Sequence, residues 1–154
     1  NVRWAKLLEE VGAHVVYGIP GLKVHAKIAQ VIKRQNGKLK SYVHLATGNY
    51  NPSTAKIYTD MSYFTTKETF STDATHFFHF LTGFSTHTKL DTLFMSPTQI
   101  KPKLIKLIEK ERKHGSQGHI ILKANSLVDA DIIQALYIST QKGCKVDIII
   151  RGIC

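Results

Sequence analysis

The 154 residues carry 21 Lys and Arg against 11 Asp and Glu, a formal charge of +10, and 43 % are hydrophobic; this suits one small folded domain or parts of two and excludes a disordered or acidic chain. No apolar run reaches the roughly 18 residues of a membrane span, no signal peptide is visible, and two cysteines supply neither a disulfide framework nor a metal motif, so free thiols in a reducing, cytoplasmic setting are expected. The charge asks for a polyanionic partner, yet nothing matches a zinc finger, basic zipper or RNA-recognition motif, and the aromatics do not interleave with Lys and Arg, so no specific nucleic acid is expected.

Taken in chain order, residues 3–11 place Trp4, Leu7, Leu8 and Val11 at helical spacing, with Gly12 as the stop. Residues 14–17 read as a short strand, followed by a turn through Pro20 and Gly21. Residues 22–31 alternate, His25 and Lys27 on one face and Val24, Ala26 and Ile28 on the other, which predicts a strand. Asn36-Gly37 is a two-residue hairpin signal, because both turn positions must accept positive φ. A second strand over 39–45 carries Tyr42 and His44 and runs into Thr47 to Asn51, where Gly48 lets a ligand approach the backbone closely. Pro52 starts one helical turn, and residues 58–65 read as another strand. Ser71 to Asp73 open a helix that runs to Thr82, with Phe77, Phe78, Phe80 and Leu81 as its packed face. His76 and His79 on that helix have metal-ligand spacing but no third ligand.

Residues 85–92 lack a periodic pattern and read as a linker between a unit over 1–84 and a second over 93–154. The second unit is predicted as a strand at 93–95, a helix over 100–114, a strand at 120–123, a helix over 130–141 and a strand at 145–150. Leu104, Ile105, Leu107 and Ile108 form the stripe of the first helix beneath a lysine-rich outer face; Asp129 caps the second and Gly143 stops it. Such β-α-β alternation argues for a parallel sheet covered by helices, an α/β fold. A chain that begins on Asn1 and stops at the end of its last strand reads as a fragment at both ends.

Chemistry concentrates in residues 21–51, where two strands bring His25, Lys27, His44, Asn49 and Asn51 to one region. Neutral imidazole is a competent nucleophile, and a lysine two residues on shares its strand face and can reach phosphoryl oxygens as a point charge. Asn49 and the Gly48 N–H can donate without adding charge. Taken singly, each residue has a structural reading too: His25 as a hydrogen-bonded strand histidine, Tyr58 as a sheet-face aromatic, Lys123 as a solvated lysine. Arg151 lies where a parallel strand ends, the rim at which α/β proteins place ligands.

Five stretches, in this order and separation, carry a family likeness: GLKVHAK at 21–27, YVHLATGNYNPSTAKIYTD at 42–60, FLTGF at 80–84, LKANSLVD at 122–129 and VDIIIRGIC at 146–154. The chain resembles the central and later part of bacterial polyphosphate kinases, the type whose catalytic half is two phospholipase D-like domains. The resemblance implies a mixed sheet flanked by helices over residues 1–84 and the start of a second such unit over 93–154. It implies an ATP–polyphosphate phosphotransferase in which His25 accepts the γ-phosphoryl group and passes it to a growing phosphate chain, releasing ADP. Lys27 then binds phosphoryl oxygens, Asn49 matches the asparagine of the phospholipase D-type GSxN element, and His44 matches a second active-site histidine. Tyr58 and Arg151 match nucleotide contacts, with Gly48 and Lys123 near the phosphates. The resemblance also implies Mg²⁺, held by the phosphates or by residues outside this chain, a homo-oligomer at full length, and a cytoplasmic enzyme with room for peripheral association at the inner membrane face. Ile32 stands where phospholipase D proteins have Asp, which points away from lipid hydrolysis, and Ala46 stands where many family members have Gly.

Two rival readings use the same residues. A phospholipase D-like phosphodiesterase or nuclease would need a second HxK from a paired domain; ATP-dependent phosphorylation of histidine separates the two chemistries. An inactive fragment acting as a polyanion-binding module would bind phosphate chains without turnover.

Overall fold

The computed structural model describes residues 2–86 and 89–154. The chain divides into two compact units, residues 1–93 and 94–154, and it is mixed α/β, with sheets flanked by helices. His87 and Thr88 of the expected linker lie outside the described residues.

In the first unit α1, Val2–Glu10, ends where Gly12 takes φ +85°. The Ala13 N–H bonds the Leu8 carbonyl and the Gly12 N–H that of Glu9, a Schellman closure. Residues 14–17 are not a strand: among the described residues no neighbouring backbone pairs with them. Asn36 and Gly37 adopt φ 50° and 75°, the left-handed pair of a tight hairpin. They join β1, Lys27–Gln35, to β2, Lys38–Ala46, in a register from Gln35↔Lys38 to Lys27↔Ala46. The first strand therefore starts five residues later than the alternation predicts. Pairing with β1 ends at Ala46, while the register with β3 runs one pair further, the Thr47 N–H bonding the Met61 carbonyl.

After a single helical turn, α2 at Pro52–Ala55, the chain returns as β3, Ser62–Thr65, antiparallel to β2. This is shorter than the strand expected over 58–65, since the Tyr58 N–H is spent on the Thr54 carbonyl. The 14-residue α3, Glu68–Leu81, covers the β1–β2 hairpin, burying Val43 to 2 % and Ala74 to 0 % exposure. Gln30 ties sheet to helix, its amide reaching Ser41 Oγ at 2.9 Å, Thr75 Oγ1 at 3.0 Å and the Ser71 carbonyl at 3.2 Å.

Asp73 does not open this helix, which begins three residues before Ser71 with no side-chain cap. It is buried mid-helix at 3 % exposure and accepts from three successive amides, those of Asp91, Thr92 and Leu93. Residues 93–95 are not a strand either: the Leu93 N–H goes to Asp73 and that of Met95 to the Gln99 side chain. The described end of the expected linker is thus fastened down, with Leu90 buried.

The second unit runs α4, Ile100–Arg112, β4, His119–Ala124, α5, Ala130–Gln141, and β5, Lys145–Ile150. The two strands pair in parallel, His119↔Lys145 to Ala124↔Ile150. Asp129 caps α5, its carboxylate accepting from the Asp131 and Ile132 N–H groups, and Gly143 closes it at φ 87°. The core joins Ile108 to Leu127, Ile132, Ala135 and Leu136, with Ile105 against it. Leu104 and Leu107 of the expected stripe are exposed.

Candidate active site

His25 sits two residues before β1, so the strand does not fix its backbone as the alternation predicts. A side-chain contact holds it instead. Lys27 Nζ donates to the His25 carbonyl at 2.9 Å and lies 3.0 Å from Nδ1 and 3.1 Å from Nε2 of the same ring. One ammonium cannot lie on both in-plane lone pairs of a ring, so the near-equal distances seat it against the face of the imidazole. A ring nitrogen whose lone pair the ammonium does not take up can act as a nucleophile. Continuing the β1–β2 register two residues beyond Lys27↔Ala46 brings His25 and Gly48 opposite one another in sequence.

His44, on β2, is fixed on two sides. Phe64, its direct cross-strand partner on β3, stacks on the ring at 4.1 Å between centroids and 18° between planes. The Tyr50 hydroxyl lies 2.8 Å from Nδ1. Nε2 is buried without a hydrogen-bond partner among the described residues. His44 lines a cavity of about 440 Å³ together with Gly48, Asn49, Tyr58 and Asp60, all from the loops between β2 and β3. His25 and Lys27 are not among its lining residues.

The loop after β2 is latched to the residues before β3. Thr47 Oγ1 donates to Asp60 Oδ1 at 3.1 Å and accepts the Met61 N–H at 3.0 Å, and the Thr47 N–H returns to the Met61 carbonyl. Gly48 is pressed against Asp60: a Cβ there would lie 2.5 Å from the carboxylate carbon and 2.8 Å from Cβ. Glycine is demanded by this close approach. Asn51 caps α2, accepting from the Ser53 and Thr54 N–H groups at 2.9 and 3.1 Å; Asn49 is exposed at the cavity edge.

Sequence reasoning missed Tyr50, Phe64, Thr47 and Asp60 as site residues. The signal for Asp60 was the glycine opposite it, a feature that only long-range pairing converts into a contact. The remaining sequence-identified residues lie in the second unit. Lys123 is exposed near the end of β4, and Arg151 follows β5, its N–H directed to the Ala124 carbonyl at 3.4 Å. The shifted titrations belong to this unit as well. The hydrogen bond from Lys101 and then the Ile132 N–H hold Asp129 below the ordinary carboxylate range, and His119 and then Lys145 do the same for Asp147. Among the described residues no three His, Cys, Asp or Glu side chains converge to hold a metal. His76 and His79 are both exposed on α3. No helix is long and apolar enough to cross a membrane among the described residues.

Comparison with known proteins gives this geometry its context. Residues 1–88 match the family model described as polyphosphate kinase C-terminal domain 1, and residues 93–154 match polyphosphate kinase C-terminal domain 2. The chain is 60 % identical over 154 residues to a polyphosphate kinase of Campylobacter jejuni subsp. doylei, with all of this chain and 22 % of the relative covered. It is 54 % identical over 155 residues to a polyphosphate kinase of Helicobacter pylori, covering all of this chain and 23 % of that one. The crystal structure of polyphosphate kinase from Porphyromonas gingivalis superposes with a TM-score of 0.87 at 31 % identity, over all of this chain and 24 % of that chain. The chain thus spans between a fifth and a quarter of these relatives' length, and it belongs to the polyphosphate kinase family.

Proposed function

We propose that this chain carries the phosphoryl-accepting part of an ATP–polyphosphate phosphotransferase, with His25 as the nucleophile. The observation that carries the reading is the Lys27 ammonium held at 3.0 Å from the His25 ring. A ring nitrogen lone pair attacks the γ-phosphorus; the P–N bond forms as the bond to the β–γ bridging oxygen breaks, and ADP leaves with that electron pair. A terminal oxygen of polyphosphate then attacks the same phosphorus, the P–N bond breaks, and the ring regains its lone pair. Both steps reverse. Transfer of this kind depends on in-line positioning and charge neutralisation more than on covalent help. Lys27, seated against the His25 ring, is assigned to the phosphoryl oxygens, and Asn49 with the Gly48 N–H is assigned to them as neutral donors. His44, Tyr58 and the cavity they line are assigned to the nucleotide and phosphate chain, and Arg151 and Lys123 to phosphate contacts from the second unit.

Mg²⁺ would neutralise the triphosphate and travels with it in such reactions. Without a three-ligand cluster among the described residues, its ligands are assigned to the phosphates and to residues outside them. A charge of +10 suits polyphosphate as partner.

The test uses a protein of the relatives' full length carrying this sequence, given ATP radiolabelled in the γ position. Acid-labile, base-stable label should map to the peptide containing His25. His25→Ala should abolish labelling and chain synthesis, whereas Lys27→Arg should restore only part of the activity lost in Lys27→Ala, because a planar fork does not replace a compact ammonium. Label retained in His25→Ala, or found on His44, would overturn the assignment.

A further inference from the structure

We propose that Tyr50 is a positioning residue that holds His44 in the tautomer with the proton on Nε2, making that nitrogen a hydrogen-bond donor kept for a phosphoryl oxygen. The proposal rests on the phosphotransferase reading for the ligand, and on the contacts of the His44 ring for its orientation. Stacking on Phe64 at 4.1 Å and 18° fixes the plane of the His44 ring. It leaves undecided a half-turn within that plane, which exchanges each nitrogen with a carbon, and leaves the proton's position open. The Tyr50 hydroxyl, 2.8 Å from Nδ1, settles the half-turn, and of the two roles open to a phenol, donor and acceptor, it is assigned the donor's. A phenol that donates to Nδ1 takes up its lone pair, and the ring proton then resides on Nε2.

Nε2 is the ring atom that is buried and without a partner among the described residues. A buried polar atom left unpaired is costly in the resting protein. The cost is removed once an anionic oxygen in the cavity that His44 lines displaces the atoms covering Nε2 and accepts from it. The opposite tautomer would offer a lone pair to that oxygen and repel it. Tyr50 itself is 61 % exposed, so its hydroxyl is dispensable for packing.

Two readouts test this in the full-length protein. Nitrogen-15 NMR of the His44 ring, recorded without nucleotide, should show a protonated Nε2, and Tyr50→Phe should shift both nitrogens toward a tautomer mixture. Tyr50→Phe should also lower kcat about tenfold, the worth of one lost hydrogen bond, with KM for ATP within about twofold. In a His44→Gln background, where the amide supplies a donor near the Nε2 position whatever residue 50 is, the same substitution should cost less than about twofold. Unchanged His44 nitrogen signals in Tyr50→Phe, or an equal loss in both backgrounds, would overturn the proposal. A tautomer shift in a protein whose His25 never takes up label would sink the phosphotransferase reading and leave the positioning role standing.

Discussion

Replacing Asp73 by alanine tests how residues 91–93 are held. The carboxylate is 3 % exposed, and Oδ2 accepts from the Thr92 N–H at 2.7 Å and the Leu93 N–H at 2.8 Å, with the Asp91 N–H 3.2 Å from both oxygens. Hydrogen bonds to a charged acceptor contribute about 1.5–3 kcal/mol each. Two short ones and a long shared one, offset by water entering the vacated space, put the loss for Asp73→Ala at about 3–5 kcal/mol. Asp73→Asn keeps one accepting oxygen but turns an NH₂ toward donors, and should cost about 2–3 kcal/mol. Urea unfolding measures the total, and amide hydrogen exchange locates it: Thr92 and Leu93 should exchange at least about a hundredfold faster in Asp73→Ala. Asp91→Asn, which among the described residues removes the exposed 3.8 Å pair with Lys89, is the control and should change stability by less than about 0.5 kcal/mol. A loss below about 1 kcal/mol for Asp73→Ala, or unchanged exchange at the two amides, would refute the reasoning.

Gly48→Ala places a methyl within 2.8 Å of Asp60 Cβ, so the loop must shift; a cost of about 1–3 kcal/mol in thermal unfolding is expected, with activity falling further than stability. The clasp of Lys101 on Asp129 and Asp131, at 2.8 and 2.7 Å, gives a pH signature. Asp129 is lowered in the fold, so its contribution is present above the unfolded carboxylate value of about 4 and is lost as pH falls through the lower folded value. Lys101 is raised, so its contribution is full below the unfolded lysine value of about 10.4 and is lost as pH rises through the higher folded value. Urea midpoints of wild type and Lys101→Met should therefore differ most at neutral pH and converge at both extremes. Polyphosphate binding should weaken steeply between about 50 and 200 mM salt through counterion release; affinity unchanged across that range would contradict an electrostatic interface.

Some of this protein is written in short stretches of sequence. Asn36-Gly37 demands two positive φ values and sets the hairpin, and with it the pairing of Gln35 with Lys38. Asp129 carries its capping oxygen with it, and the strand expected at 145–150 appears with those bounds. The proximity of His25 and Lys27 was legible for the same reason, since a long lysine side chain two residues on can reach the ring. Other features depend on partners far along the chain. Strand β1 starts at Lys27 and not at Leu22 because its start is set by where pairing with the distant β2 ends, at Ala46. Asp73 resembled a helix cap because caps are recognised by local spacing, yet its acceptors serve amides some 20 residues on. Tyr50 meets His44 only because the loop after β2 folds back over that strand, and Gly48 needs its missing side chain only because Asp60 arrives there. Backbone preference is a property of a residue and its immediate neighbours; a carboxylate against a glycine, or a phenol on a ring nitrogen, exists only once strand register has brought distant segments together.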